Sequence, residues 1–212
     1  MGAVSDPIGT SLVKSMRHPG GKVTGVQDKQ PVGVQLDLIR TIMPKIKTIG
    51  VIYTSSDDSS AAEYREFKNL AEKHHITIRP YTITSTNDIE QVAQTMVNKV
   101  EAVYVPTDNT VASGIATLLK ATNAEKIPVF PAADTMIKPG GLATRSVSQF
   151  DMGILTGKMA GQVLKGKKPE DMPVRRVTNY ETVINEKTAQ NLGITIPDSV
   201  IKAAQKKGRI IK

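Results

Sequence analysis

The chain has 212 residues, 39% of them hydrophobic and 23% charged, enough to bury one large or two small cores. It contains no cysteine, which excludes disulfides, thiol catalysis and cysteine-ligated zinc, and no run approaches the roughly 18 apolar residues of a membrane span. The net charge of +8 gathers at one end: residues 158–212 hold 12 of the 28 Lys and Arg but only 5 of the 20 Asp and Glu, without interleaved aromatic rings to stack on bases, which favours a solvated basic end over nucleic-acid binding.

In chain order, Met1 to Val4 is only a stub of apolar sequence before Ser5-Asp6-Pro7, as if a strand had lost its beginning, and nothing in it reads as a signal peptide. AVSDPIGTSLV (3–13) has the composition of a strand end passing into a helix, and GGKVTGVQD (20–28) reads as a strand. TIGVIYT (48–54), ITIRPYTIT (76–84), EAVYVP (101–106), IPVFPA (127–132) and GLATRSVS (141–148) are the next strand-like runs. Three helices separate the first four of these. Ser60 and Glu63 form a capping-box pattern that predicts a helix from about Ala61, with Tyr64, Phe67, Leu70 and Ala71 on one face. Asn87 and Glu90 predict a second, striped by Ile89, Val92, Ala93, Met96, Val97 and Val100. Val111, Ile115, Leu118 and Leu119 mark the third. Alternation of this kind predicts an open α/β unit over 48–140, a parallel sheet with helices on both faces. A helix over 150–166, a strand within 175–187 and a short helix around Pro197 to Lys206 follow, too few pieces for a second sheet alone.

Three segments share one pattern, in which a strand ends, small polar residues follow and a helix begins: 3–13, 51–64 and 103–114. VFPAADTMI (129–137) puts Asp134 at the same kind of place. In parallel sheets such ends share one side, where ligands bind. Helix-start N–H groups suit a carboxylate, and Asp6, Asp108 and Asp134 suit an ammonium group, a combination that fits a zwitterion. Each motif taken singly is explained as a helix cap, because Ser, Thr, Asp and Asn are the preferred capping residues.

Catalytic and cofactor motifs are missing. GILTGKM (153–159) is one residue short of a phosphate loop and carries Met159 where Ser or Thr should stand. No G-x-G-x-x-G follows a strand, and His74 and His75 are adjacent rather than four apart, so neither a dinucleotide nor a metal pair is indicated. The expectation is a binding protein rather than an enzyme, with no cofactor and no metal.

AVSDPIGTSLVKSMRHPGGKVTGVQD, YVPTDNTVASG, GGLATRSVSQFDMGILTGKMA and NLGITIPDSV together resemble the solute-binding components of bacterial ABC importers, of the group associated with tryptophan and tyrosine uptake. The resemblance implies a type I periplasmic-binding fold, α/β, with an amino acid held between two lobes, an ABC permease as partner, and an extracytoplasmic or membrane-anchored location, often as a lipoprotein. It assigns 1–28 to a first-lobe remnant and hinge strand, 29–142 to the second lobe, 143–176 to a hinge strand and first-lobe helix, and 177–212 to the third hinge strand and C-terminal helix. Most of the first lobe and the family's signal peptide have no counterpart here, so a truncated first lobe with an exposed apolar patch is expected to self-associate or to be partly disordered. Ser5 and Asp6 match the family's first-lobe loop, and Thr107, Asp108 and Asn109 its second-lobe loop. Ser59 and Ser60 stand where the family commonly has Asn-Ser, and Asp134 lies in the corresponding acidic loop. Two other readings of the same fold are a cytosolic ligand-sensing regulator and a binder of sugars or other small solutes.

Overall fold

The computed structural model describes all 212 residues as nine strands and eight α-helices. In chain order these are β1 (Val26–Gln27), α1 (Val32–Ile42), β2 (Thr48–Thr54), α2 (Asp58–Glu72), β3 (Thr77–Ile83), α3 (Ile89–Met96), β4 (Ala102–Val105), α4 (Asn109–Ser113) and α5 (Ile115–Ala124). There follow β5 (Val129–Pro131), β6 (Ala143–Val147), α6 (Gln149–Leu164), β7 (Arg175–Arg176), β8 (Tyr180–Asn185), α7 (Glu186–Leu192), α8 (Asp198–Lys206) and β9 (Gly208–Ile211). They fall into two units, residues 1–30 with 147–180 and residues 31–146 with 181–212.

In the larger unit, four strands pair in the order β3-β2-β4-β5, every pair parallel. Side chains alternate between the two faces of a strand, and here each face has its own core. Ile49 and Val51 of β2, Ala102 and Tyr104 of β4, and Phe130 of β5 pack with Leu36 and Ile39 of α1, Phe67 and Ala71 of α2, and Val200 and Ala204 of α8. Ile52, Val103, Val105 and Val129 point the other way, against Ile89, Ala93 and Met96 of α3 and Leu118 and Leu119 of α5. The expected open α/β unit with helices on both faces is therefore present. A second sheet, β6-β8-β9, is more than the sequence suggested. It draws on β9, which pairs parallel with β8 through Thr182 to Asn185.

Helix α1 was not anticipated, although its apolar residues recur at helical spacing. Its buried Gln35 explains part of its position: the side chain donates to Pro131 O (2.8 Å) and Thr144 Oγ1 (2.9 Å) and accepts from Arg145 N (2.7 Å), joining the helix to β5 and β6. The run 175–187 is divided into β7 and β8 and passes into α7, which Asn185 caps by accepting from Thr188 N.

Three helix starts differ from expectation. Helix α2 begins at Asp58, because Asp57 rather than Ser60 supplies the cap. The capping box before α3 is Ser85 with Asp88, around a 3₁₀ turn, in place of Asn87 with Glu90. Segment 3–13 forms a turn and no helix: Asp6 Oδ1 accepts from Gly9 N and Ser11 takes φ +58°, a left-handed conformation that stops the coil. The third expected helix is broken into α4 and α5 at Gly114, where a Cβ would stand 2.3 Å from Ile89 Cδ1.

The smaller unit is thin. Its sheet is the two-residue parallel pair β1-β7, extended by a single bridge from Val4 to Gln27. Val26, Val147, Met152, Met159 and Met172 form its core under one face of α6.

Candidate functional site

Parallel order brings the ends of β2, β4 and β5 to one side of the larger unit, and each predicted polar residue there can be assigned a job. Asp108 follows β4 and is 3% exposed. Its carboxylate accepts from Thr54 N (2.6 Å), Thr54 Oγ1 (2.9 Å) and Val111 N (3.0 Å), so it caps α4 and ties that cap to the end of β2. Three donors within the protein already use this charge. Asn109 is exposed, with its backbone carbonyl accepting from Ser113 Oγ. Thr107 is different: its Oγ1 is buried and has no hydrogen-bond partner. A buried polar atom without a partner costs free energy on the order of 1–3 kcal/mol, unless something else supplies the bond.

Thr107 is held from below by a residue that sequence reasoning placed wrongly. Glu63 does not form a capping box. It reaches from α2 to accept from Tyr104 Oη (2.5 Å) and Thr107 N (3.2 Å). Tyr104 is fully buried and stacks on Phe67 with ring centroids 4.1 Å apart. Burial first, and then the charge of Glu63, push its phenol well above the ordinary tyrosine value, so the hydroxyl stays a donor. The spacing Ser60-x-x-Glu63 hid this role, because a capping box is a local explanation for the same residues.

At the start of α2, Asp57 Oδ1 accepts from Ser59 N (2.9 Å) and Ser60 N (3.2 Å). The helix-start amides expected to meet a ligand carboxylate are thus engaged by a carboxylate of the protein. Ser60 is buried and its hydroxyl donates to Asp57 O at 3.1 Å, whereas Ser59 is half-buried. Asp134 follows β5 and is paired through Oδ2 with Arg209 of β9, while its Oδ1 is buried without a partner.

In the smaller unit, Ser5 accepts at its backbone oxygen from Gln27 Nε2 (2.7 Å), and Asp6 is exposed in its turn. The Val4–Gln27 bridge is parallel, and Asp28 N donates to Val4 O at 2.9 Å, which sets Ser5 abreast of Asp28. Asp28 is 8% exposed; Gln30 Nε2 donates to its Oδ1 (2.9 Å) and Gln149 Nε2 to its Oδ2 (3.4 Å). Burial raises its carboxyl above the ordinary aspartate value, and the two amide bonds pull it partly back. No group of three or more His, Asp or Glu side chains is arranged to hold a metal ion, and no helix is long and apolar enough to cross a membrane.

The sequence profile of a family described as ABC transporter substrate binding protein matches residues 1–207. The chain belongs to that family. It is 34% identical over 192 residues to the tyrosine-binding protein of Clostridioides difficile (strain R20291), covering 91% of this chain and 56% of that one. A solved ABC domain from Streptococcus pneumoniae, in complex with L-Trp, is 46% identical and superposes with a TM-score of 0.92, over 100% of this chain and 70% of that one. The ligand-free, open structure of a substrate binding protein with adhesive properties from Clostridium difficile is 33% identical with a TM-score of 0.79, over 99% and 69%. The chain thus spans 56% to 70% of the length of these relatives. Their shared architecture makes the α/β fold that of the periplasmic binding proteins.

Proposed function

We propose that the chain is the substrate-binding component of an ABC importer and that its ligand is an amino acid with an aromatic side chain. The observation that carries this reading is the buried, unpartnered hydroxyl of Thr107, set beside exposed Asn109 and braced by Glu63 at the end of a parallel strand. Support for the ligand class comes from the L-Trp complex of one relative and the name of another, 46% and 34% identical to this chain. Thr107, Asn109 and Ser59 are the foremost contacts proposed in the larger unit. Ser60 and Asp108 shape that face through their internal bonds, Asp134 acts with Arg209, and Ser5 and Asp6 belong to the proposed set in the smaller unit.

Titration calorimetry of the purified chain with L-tryptophan, L-tyrosine, L-leucine and D-galactose tests the proposal. Heat with tryptophan or tyrosine is the expected result; heat with galactose and none with any amino acid overturns it.

The same reading carries an ABC permease as partner and an extracytoplasmic location, with lipid anchoring as its membrane attachment. It also includes self-association through α6, supported by the exposure of Phe150 (76%) and Leu164 (88%).

A further inference from the structure

We propose that Asp28 takes the α-ammonium group of the bound amino acid, a role that deepens the amino-acid reading above and rests on it. The strand-end aspartates named from the sequence are each accounted for otherwise. Asp108 is saturated by three protein donors, and Asp134 is paired with Arg209. Asp6 is exposed and bonded to Gly9 N within its own turn. Asp57 is spent on Ser59 N and Ser60 N.

Asp28 combines burial with a shortage of partners and, unlike Asp134, has no cation beside it. A carboxylate offers about four lone-pair sites, and here two are used, one of them by a long 3.4 Å contact from Gln149. Both donors are neutral amides, and no ion pair compensates the charge. The guanidinium of Arg176 on the neighbouring strand goes to Gln27 Oε1 instead. A buried carboxylate left without a cation is costly, and proteins ordinarily pair it or coordinate something with it. A primary ammonium has the complementary chemistry: one positive charge and three N–H donors for the unused lone pairs. Gln30 and Gln149, one from each of the two segments of the unit, donate to different oxygens of the carboxylate. Ser5, abreast of Asp28, is positioned as its polar neighbour.

A purely structural role would have Asp28 do no more than tether Gln30 and Gln149. The two roles separate when the ligand and the protein are changed together. The full chain and Asp28→Asn are titrated with L-tryptophan and with indole-3-propionate, which keeps the ring and carboxylate and lacks the ammonium. The expected result is a 10- to 100-fold weaker affinity of Asp28→Asn for tryptophan, about the value of a charge-assisted hydrogen bond, with indole-3-propionate bound no worse by the variant than by the native chain. Equal loss for both ligands, or loss for neither, overturns the proposal while leaving amino-acid binding intact. Native chain that binds neither tryptophan nor tyrosine overturns the amino-acid reading and this proposal with it. Comparison of the two ligands on the native chain needs no variant to fold: indole-3-propionate binding as tightly as tryptophan also overturns the role of Asp28.

Discussion

Glu63 and Tyr104 lie 41 residues apart in sequence and 2.5 Å apart at their oxygens, in a bond that joins α2 to the central strand β4. The second carboxylate oxygen of Glu63 holds Thr107 N, so one side chain both satisfies a buried phenol and positions the loop that follows β4.

Removing that carboxylate leaves two donors without acceptors. Glu63→Ala is expected to destabilise the chain by about 2–4 kcal/mol, and Tyr104→Phe by about 1 kcal/mol. The double variant should be more stable than the sum of the two losses implies, since it removes donor and acceptor together. Urea denaturation of the four proteins in the cycle measures the coupling, and strict additivity would rule out the bond as a shared feature.

Asp108 and Asn109 are neighbours with opposite tasks. Asp108→Asn should cost roughly 1.5–3 kcal/mol in stability, because the buried charge accepts from Thr54 and Val111 at once. Asn109→Ala changes an exposed side chain and is expected to stay within about 0.5 kcal/mol of the native stability while weakening amino-acid binding. Thermal melts paired with calorimetry decide this; loss of stability in both variants would contradict the division.

Asp28 predicts a pH dependence with a definite sign. Burial raises its carboxyl in the folded chain, so the folded state holds the proton more tightly than the unfolded state. Its contribution to stability is therefore fully present below the unfolded value, about 3.9, and is lost as pH rises through the elevated folded value. Asp28→Asn cannot ionise. Its melting temperature should match the native chain near pH 3 and exceed it at pH 7, and a variant less stable at pH 7 without ligand would reverse the assignment.

Helix α6 predicts an effect of concentration. Phe150, Ile154 and Leu164 are exposed on the same side of the helix as Gly153, Gly157 and Gly161, where an added Cβ would meet nothing within 4 Å. Sedimentation velocity is expected to show association that grows with protein concentration and that Phe150→Asp with Leu164→Lys abolishes. Native chain that stays monomeric across the range would exclude this face as a contact between copies.

Much of the larger unit was legible because its signals are periodic and local. Ile49, Val51 and Ile52, or Ala102 to Val105, form the near-continuous apolar run of a strand buried on both faces, and the intervening helices carry apolar stripes at three- and four-residue spacing. The short pair β1-β7 and strand β9 were harder to see, because two to four residues are too few to show a period. Caps were legible as polar residues between a strand and a helix, but not which of them does the capping. Asp57 and Ser60 are both good cap formers, and the choice fell to the one whose carboxylate reaches two amides.

The sequence by itself determined the alternation of strands and helices, the two-sided core, and the gathering of Thr107, Asp108, Asn109 and Asp134 at strand ends. Only the tertiary structure decided which of those charges are free to act. Asp108 meets Thr54 across 54 residues, and Asp134 meets Arg209 across 75, both because of strand order. A carboxylate's availability depends on the donors that surround it in space, and that is why Asp28, unremarked in the sequence as a site, emerged only when its neighbours proved to be two neutral amides and no cation.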